Sequence, residues 1–177
     1  PPARVAGAAP LVVTATMGAA DQRHFDALRA AHFPPDRNFL SAHIMLFHQL
    51  PPSAFGELDR LVRAVAGDTA APAATIRDIY SLGRGTAFRI ESPDLLAIRA
   101  RIADHFHGML TVQDQGTPRL HITVQNKVTP SEARALAAEL AKDFSPRPLS
   151  IVGLSVHHYR GGPWDFAFTR NFRRGRT

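Results

Sequence analysis

Two histidines occupy equivalent positions in two similar stretches of this sequence. The stretches read SAHIMLFHQLPPS and PRLHITVQNKVTPS, and a constant offset of 78 residues takes His43 to His121. The unperturbed pKa of histidine is about 6.5, so the side chain gains or loses a proton near neutral pH. Two such groups suit the cleavage of a phosphodiester, in which one group removes a proton and another supplies one.

Each histidine lies at or next to the start of a short apolar run, which predicts a strand. Alternate side chains of a strand share a face, so Met45 and Phe47 would point the same way as His43. If the two similar stretches pack about a pseudo-twofold axis, equivalent residues face each other. His43 and His121 would then line one cleft, although a histidine in a strand can also be a hydrogen-bonded structural residue.

Polar residues beside the second histidine suit the binding of phosphate. Thr123 lies two positions after His121 and could donate a hydrogen bond to a phosphoryl oxygen. Lys127 or Arg119 could neutralise the charge of the phosphate. Aromatic side chains can stack on a nucleobase, because every base has a π-face. The aromatic residues that could do so, or else pack in the core, are Phe47, Tyr159 and Trp164.

The remaining histidine pairs and the glycine-rich turn do not indicate a cofactor site. His105 and His107 diverge on a predicted helix, and His157 and His158 face opposite sides of a predicted strand. Neither pair supplies three convergent ligands, so we expect no metal and no other cofactor. The segment Gly83-Arg84-Gly85 lacks the Gly-Lys-Ser/Thr ending of a phosphate-binding loop and is typical of a turn.

The elements around the histidines repeat as well, in the order strand, Pro-Ser, amphipathic helix and hairpin. The predicted strands are 11–17, 44–50, 75–82, 86–91, 122–128, 149–159 and 164–170. The predicted helices are 19–33, 54–66, 93–109 and 132–144, with Ser53, Ser92 and Ser131 as caps. We therefore predict an α+β protein of two pseudo-symmetric lobes around a central cleft, each lobe an antiparallel sheet with helices outside.

Composition limits the classes of protein that remain. The 177 residues, 45% of them hydrophobic, suffice for one globular domain, which we place at 10–172 between a loose leader (1–9) and a basic tail (173–177). The absence of cysteine excludes disulfides and thiol nucleophiles and favours the cytoplasm. No apolar run is long enough to span a membrane. The net charge of +6, with 19 arginines among 21 basic residues, indicates either an anionic partner or an arginine-rich solvated surface.

The two histidine segments resemble the paired His-x-Thr/Ser-x motifs of the two-histidine (2H) phosphoesterases. That superfamily includes the 2′,5′ RNA ligase and cyclic phosphodiesterase proteins, and the resemblance covers about residues 10–172. It implies a bilobal α+β fold and metal-independent chemistry, with His43 and His121 as general acid and base. The implied substrates are 2′,3′-cyclic phosphates or 2′,5′-linked nucleotide or RNA ends. We further expect a monomer that has no membrane partner.

Met45 departs from the motif, because it stands where the first copy usually has threonine or serine. A thioether cannot donate a hydrogen bond to phosphate. The activity could be retained, with an altered substrate or a reduced rate. An alternative hypothesis is a catalytically weakened module of the same fold that binds a nucleotide or RNA. A third is a globular protein whose basic charge has no ligand.

Overall fold

Eight strands and four helices make up residues 9–174, the part of the chain that the computed structural model describes. The strands are β1 (Leu11–Met17), β2 (Ile44–Leu50), β3 (Thr75–Ser81), β4 (Thr86–Glu91), β5 (His121–Gln125), β6 (Arg147–Pro148), β7 (Ile151–Tyr159) and β8 (Trp164–Asn171). The helices are α1 (Ala19–His32), α2 (Phe55–Asp68), α3 (Pro93–His105) and α4 (Pro130–Ala141). All predicted elements are present with small differences at their ends, and β6 is additional.

Only one of the three predicted helix caps is present in the structure. Ser92 caps α3 as predicted, since its hydroxyl accepts a hydrogen bond from a backbone N–H in the first turn. The predicted caps Ser53 and Ser131 are wrong. A short 3-10 turn leads into α2, which begins without a side-chain cap. Helix α4 begins at Pro130, and Thr129 is its cap. Proline suits this first helical position because its missing N–H would have no partner there.

The strands form two four-stranded sheets in which all neighbours are antiparallel. The order is β2-β1-β7-β8 in the first sheet and β5-β4-β3-β6 in the second. His43 immediately precedes β2, and His121 is the first residue of β5. Both histidines therefore lie at an edge of a sheet, and these two edge strands contact each other. The predicted α+β class with two lobes is confirmed.

Each sheet takes strands from both halves of the sequence repeat. In each sheet the chain forms an inner strand, a helix and then the histidine strand: β1, α1 and β2 in the first, β4, α3 and β5 in the second. The first sheet combines β2 of the first repeat with the hairpin β7–β8 of the second, and the second sheet combines β5 of the second repeat with the hairpin β3–β4 of the first. The sequence offset aligns β4 with β8, whereas the position in the sheet makes β4 the counterpart of β1. The two lobes are thus intertwined.

Apolar side chains from sheets and helices form the core. Helix α1 packs on β5, α2 on β7 and β8, and α4 on β3 and β4. The largest fully buried side chains include Phe25, Phe106, Leu58 and Ile122. Burial of each such side chain contributes roughly 1.5–3 kcal/mol relative to its exposure. This packing fixes the edges of the two sheets that carry the histidines.

The ends of the chain are described in part. The predicted leader lies outside the described residues except for Ala9, which is buried. Arg173, predicted to begin the basic tail, is still held by the fold, because its backbone N–H donates to the carbonyl of Thr69 at 3.1 Å. Residues 175–177 of that tail lie outside the described residues. Within 9–174, no helix is long and apolar enough to cross a membrane.

Candidate active site

His43 and His121 make the same hydrogen bond to the backbone. Nδ1 of His43 lies 2.8 Å from the carbonyl oxygen of Ser41, and Nδ1 of His121 lies 2.7 Å from that of Arg119. A carbonyl oxygen only accepts hydrogen bonds, so Nδ1 is the protonated nitrogen in both rings. When either ring is neutral, Nε2 is its basic atom. The sequence repeat therefore extends to the tautomer and orientation of both imidazoles.

A cavity of about 450 Å³ opens on the first sheet beside His43. Its size falls in the range of about 300–1,000 Å³ that is usual for small-molecule sites. Trp164 packs against His43, with ring centroids 4.7 Å apart, and against His157 at 5.2 Å. Phe39 and Phe166, exposed by 62% and 64%, also line the cavity. The cavity therefore joins an imidazole to accessible aromatic surface.

The environment of His43 keeps its imidazole neutral. Burial lowers the pKa of His43 to about 4, against the hydrogen bond to the Ser41 carbonyl, which favours the charged ring. Positive charge on Arg29, His121 or His157 lowers the pKa further. Near neutral pH, His43 is thus ready to accept a proton.

His121 has an aromatic and cationic environment on the second sheet. Its ring meets that of Tyr80 edge to face, with centroids 5.9 Å apart. Arg89 is the cross-strand partner of His121, and its guanidinium lies 5.0 Å from the Tyr80 ring centroid. Burial raises the pKa of Tyr80, although Arg89 and Arg119 oppose that shift through their charges. Arg89 also donates to the carboxylate of Asp78 at 2.9 Å, so its charge is already paired, and burial keeps the Tyr80 phenol neutral.

Arg29 connects the two histidine regions. Its side chain, 4% exposed, donates from Nη1 to the carbonyl of Thr123 at 3.0 Å and from Nε to the side chain of Asn38 at 3.1 Å. Its guanidinium also lies 4.2 Å from the ring centroid of Phe33. Burial lowers the pKa of Arg29, but arginine stays charged at any physiological pH. Arg29 therefore holds β5 in place and brings positive charge near His43.

Hydroxyl side chains form the floor of the cavity on the first sheet. Thr16 Oγ1 lies 2.6 Å from Ser155 Oγ, which lies 2.7 Å from Thr169 Oγ1. Thr14 Oγ1 is 3.4 Å from Nε2 of His157. All five side chains line the cavity. The strands β1, β7 and β8 thus present a polar surface next to His43.

Met45 and Phe47, which follow His43 in the first motif, have different environments in the structure. Met45 is partly buried and pairs with Thr14 across β1 and β2. The prediction that Phe47 shares the face of His43 is wrong, and of its two possible roles, stacking on a base or packing in the core, the structure shows the second. Irregular register between β1 and β2 interrupts the alternation, so that Leu46 and Phe47 are both buried. Phe47 is 0% exposed and packs under the guanidinium of Arg99, 4.3 Å from its ring centroid.

The second-motif neighbours of His121 also differ from the expected alternation. Thr123 is partly exposed and pairs with Ala87 on β4. Lys127 does not share its face: β5 ends at Gln125, and Lys127 adopts a left-handed conformation with φ of 64°. The buried Gln125 side chain instead accepts a hydrogen bond from Thr86 at 3.2 Å. The prediction that Lys127 shares the face of His121 is therefore wrong, while its contact with the substrate stays a prediction.

Two further predicted residues lie at the margin of the site. Arg119 contributes its carbonyl to His121, while its side chain borders a smaller surface hollow together with Arg89. Tyr159 ends β7 opposite Trp164, and among these two aromatic residues only Trp164 lines the cavity at His43. Of the three aromatic residues that could stack on a base, only Trp164 lines the cavity beside His43.

Several site residues were missed at the sequence level. The threonines of β1 were visible in the alternation of LVVTATM, but their partners are more than a hundred positions away in the chain. The sequence pattern places His157 only among possible metal ligands. Arg29 and Tyr80 carry no motif that would single them out. Among residues 9–174, no group of three or more histidine or acidic side chains is arranged to hold a metal ion.

The fold is shared with solved structures of low sequence identity. The crystal structure of TT0787 of Thermus thermophilus matches with a TM-score of 0.62 at 13% identity, over 94% of this chain and 100% of that chain. A phosphoesterase structure gives a TM-score of 0.54 at 17% identity, over 93% and 98% of the two chains. E. coli LigT in complex with ATP gives 0.51 at 18% identity, over 94% and 99%.

The sequence itself gives the family. The pattern of the 2′-5′ RNA ligase superfamily matches residues 18–163, and the chain belongs to that superfamily. The resemblance seen in the two histidine motifs is thereby confirmed. No functionally curated protein matches the sequence at a significant level. We therefore infer the substrate and the roles of individual residues from the geometry of the site.

Proposed function

We propose that this protein is a metal-independent phosphodiesterase of the two-histidine type that acts on 2′,3′-cyclic phosphate or on 2′,5′-linked nucleotide or RNA ends. The observation that supports the proposal most strongly is the matched hydrogen bonding of His43 and His121. Each ring is locked with Nε2 as its basic atom, at facing edges of two related sheets. This is the equipment that paired proton transfer at one phosphorus requires.

The low pKa of His43 favours different roles for the two rings in the reaction. With a pKa of about 4, His43 starts neutral and takes a proton from the attacking water. The water oxygen bonds to phosphorus, and the bond from phosphorus to one ribose oxygen breaks. The leaving oxygen must gain a proton, and His121 is the group that would supply it from Nε2. Exchange with solvent then restores the protons that the two rings carried before the reaction.

The groups around the rings would stabilise the charge on the phosphoryl oxygens. Thr123 lies on β5 two residues beyond His121 and would donate its hydroxyl hydrogen to one of them. Arg29, buried beside both regions, supplies a fixed positive charge near His43. Arg119 adds to the positive potential around Tyr80 and His121. Groups fixed in advance stabilise developing charge effectively because little has to reorganise during the reaction.

The cavity beside His43 suits a nucleoside. Trp164, Phe39 and Phe166 offer aromatic surface on which a base could stack. LigT, which shares the fold, has been crystallised with 3′-AMP, with ATP and with NADP⁺. A nucleoside would lie over the first sheet and direct its phosphate toward the two histidines.

The proposal is tested with a panel of substrates in the presence of a chelator. We expect turnover of 2′,3′-cyclic mononucleotides, of 2′,5′-linked dinucleotides, or of both, with no loss when EDTA is added. The regiochemistry of the product identifies which ribose oxygen leaves. If no member of the panel is turned over while phosphate or nucleotides still raise the melting temperature, the protein binds nucleotides without cleaving them.

A further inference from the structure

Met45 leaves the first sheet without the hydroxyl that the second sheet carries at Thr123. The residues that pair with Met45 and Thr123 on the neighbouring strands show the reverse difference. On β1, Thr14 lies opposite Met45, whereas on β4, Ala87 lies opposite Thr123. Each sheet therefore carries threonine beside its histidine, but in the first sheet the threonines lie on the inner strand.

Of the two threonines on β1, Thr16 is the accessible one. Thr14 is only 3% exposed, whereas Thr16 is partly exposed, and both line the cavity. The pairing of β1 with β2 sets Thr14 opposite Met45 and ends at Ala15 opposite Ile44. His43 immediately precedes β2, and one further step in this register would set it opposite Thr16. Directly opposed residues of antiparallel strands have Cβ atoms about 4.5–5.5 Å apart. The register and the shared cavity together point to a position of Thr16 near the imidazole.

The hydrogen bonds of Thr16 leave a proton for a ligand. Thr16, Ser155 and Thr169 form a chain of three hydroxyls with contacts of 2.6 and 2.7 Å. Each hydroxyl carries one hydrogen, and the two contacts use two of the three. The remaining hydrogen can belong to any of the three hydroxyls, and it belongs to Thr16 when Thr169 donates to Ser155 and Ser155 donates to Thr16. Both ends line the cavity, so an anion there meets a donor that is already oriented.

We propose that Thr16 donates to a phosphoryl oxygen the hydrogen bond that Met45 cannot, with Ser155 and Thr169 orienting its hydroxyl. The inference rests on the proposed function, because it places the phosphate between His43 and His121. Donation then runs from Thr169 to Ser155 to Thr16 and on to the phosphate. In the first sheet the phosphate donor would then lie on the inner strand β1 and not on the edge strand β2.

The test measures the affinity for inorganic phosphate by calorimetry. Thr16→Val keeps the branched shape but removes the hydroxyl, and we expect phosphate to bind about 10- to 100-fold more weakly, the effect of one lost hydrogen bond to a charged group. Thr16→Ser should bind nearly as the wild type does. Thr75→Val, the same change on β3 of the second sheet, should leave the affinity unchanged. If Thr16→Val does not fold, as judged by its melting curve, Thr16→Ala carries the same expectation.

A second arm restores the motif hydroxyl. Met45→Thr introduced into Thr16→Val should recover most of the lost affinity, because the edge strand then supplies the donor. The inference is overturned if Thr16→Val and Thr16→Ala bind phosphate as the wild type does, or if only Thr14→Val weakens binding. If the wild type itself neither binds phosphate nor cleaves any substrate of the panel, the proposed function fails as well. If Thr16→Val has normal turnover and normal phosphate affinity, only this inference is overturned and the proposed function stands.

Discussion

Trp164 lies against the imidazole of His43, with ring centroids 4.7 Å apart and an angle of 56° between the ring planes. The indole is at the start of β8 and lines the cavity, so it shields one side of the imidazole from solvent. Burial is the largest cause of the low pKa of His43. The proton affinity of His43 therefore depends on a residue that a ligand would also contact.

Trp164→Ala is expected to raise the pKa of His43 from about 4 toward the ordinary value of 6.5. A base must be unprotonated to act, so the acid limb of the pH profile of kcat/KM moves to higher pH. The measurement is the pH–rate profile with a cyclic nucleotide. His105→Ala, which removes an exposed histidine paired with Glu57, serves as the control and should leave the limb in place. An acid limb that stays where it is in Trp164→Ala contradicts this explanation of the pKa.

The same pKa makes the folded state sensitive to mild acid. Between pH 6.5 and about 4 the unfolded chain protonates His43 while the folded chain does not, so stability falls as the pH is lowered through this window. His43→Asn should remove part of that fall, on the order of 1–3 kcal/mol. Urea unfolding at pH 7, 6 and 5 measures it. Asp114, whose pKa is lowered from 3.8, loses its contribution only at more acidic pH. Identical pH slopes in wild type and His43→Asn contradict the prediction.

Gly85 allows β4 to approach the end of the strand that carries His121. A Cβ atom at this position would lie 2.1 Å from the carbonyl oxygen of Gln125, the last residue of β5. Gly85→Ala must therefore displace β5, and we expect a loss of about 1–3 kcal/mol in the free energy of unfolding together with reduced turnover. Gly67→Ala in α2 meets no atom within 4 Å and should leave both quantities unchanged or slightly raise the stability. Equal melting temperatures for the two variants contradict the expected displacement.

Phe39 and Phe166 are expected to contribute to the binding of the base. Alanine substitution of an aromatic residue that stacks on a base costs about 1–3 kcal/mol, so Phe39→Ala or Phe166→Ala should raise the KM for a nucleotide about 5- to 100-fold. The affinity for inorganic phosphate should not change, because phosphate has no base. Val112→Ala, at a residue that is 86% exposed in a short 3-10 helix outside this cavity, is the control. An unchanged KM in both phenylalanine variants places the base elsewhere.

The sequence was informative about elements and motifs and less so about their detailed registers. Strict alternation placed Phe47 beside His43, whereas the irregular pairing of β1 with β2 turns Phe47 into the core. The left-handed conformation of Lys127 likewise ends β5 earlier than its apolar pattern indicates. The hydroxyl floor was not predictable, because Thr16 meets Ser155 only through a strand pairing across 139 positions. Local pattern predicts strands well, and the choice of partner strand is a property of the whole fold.

The most direct test of the central claim is a double-mutant cycle on the two histidines, measured as turnover of a 2′,3′-cyclic nucleotide in the presence of a chelator. His43→Ala and His121→Ala should each lower kcat by about two to four orders of magnitude, the range of general acid and base groups. The double variant should lose less than the product of the single losses, because the pair acts as a unit. His105→Ala should retain full turnover. Full activity in either His43→Ala or His121→Ala would contradict the account, because that residue would then take no part in the proton transfers.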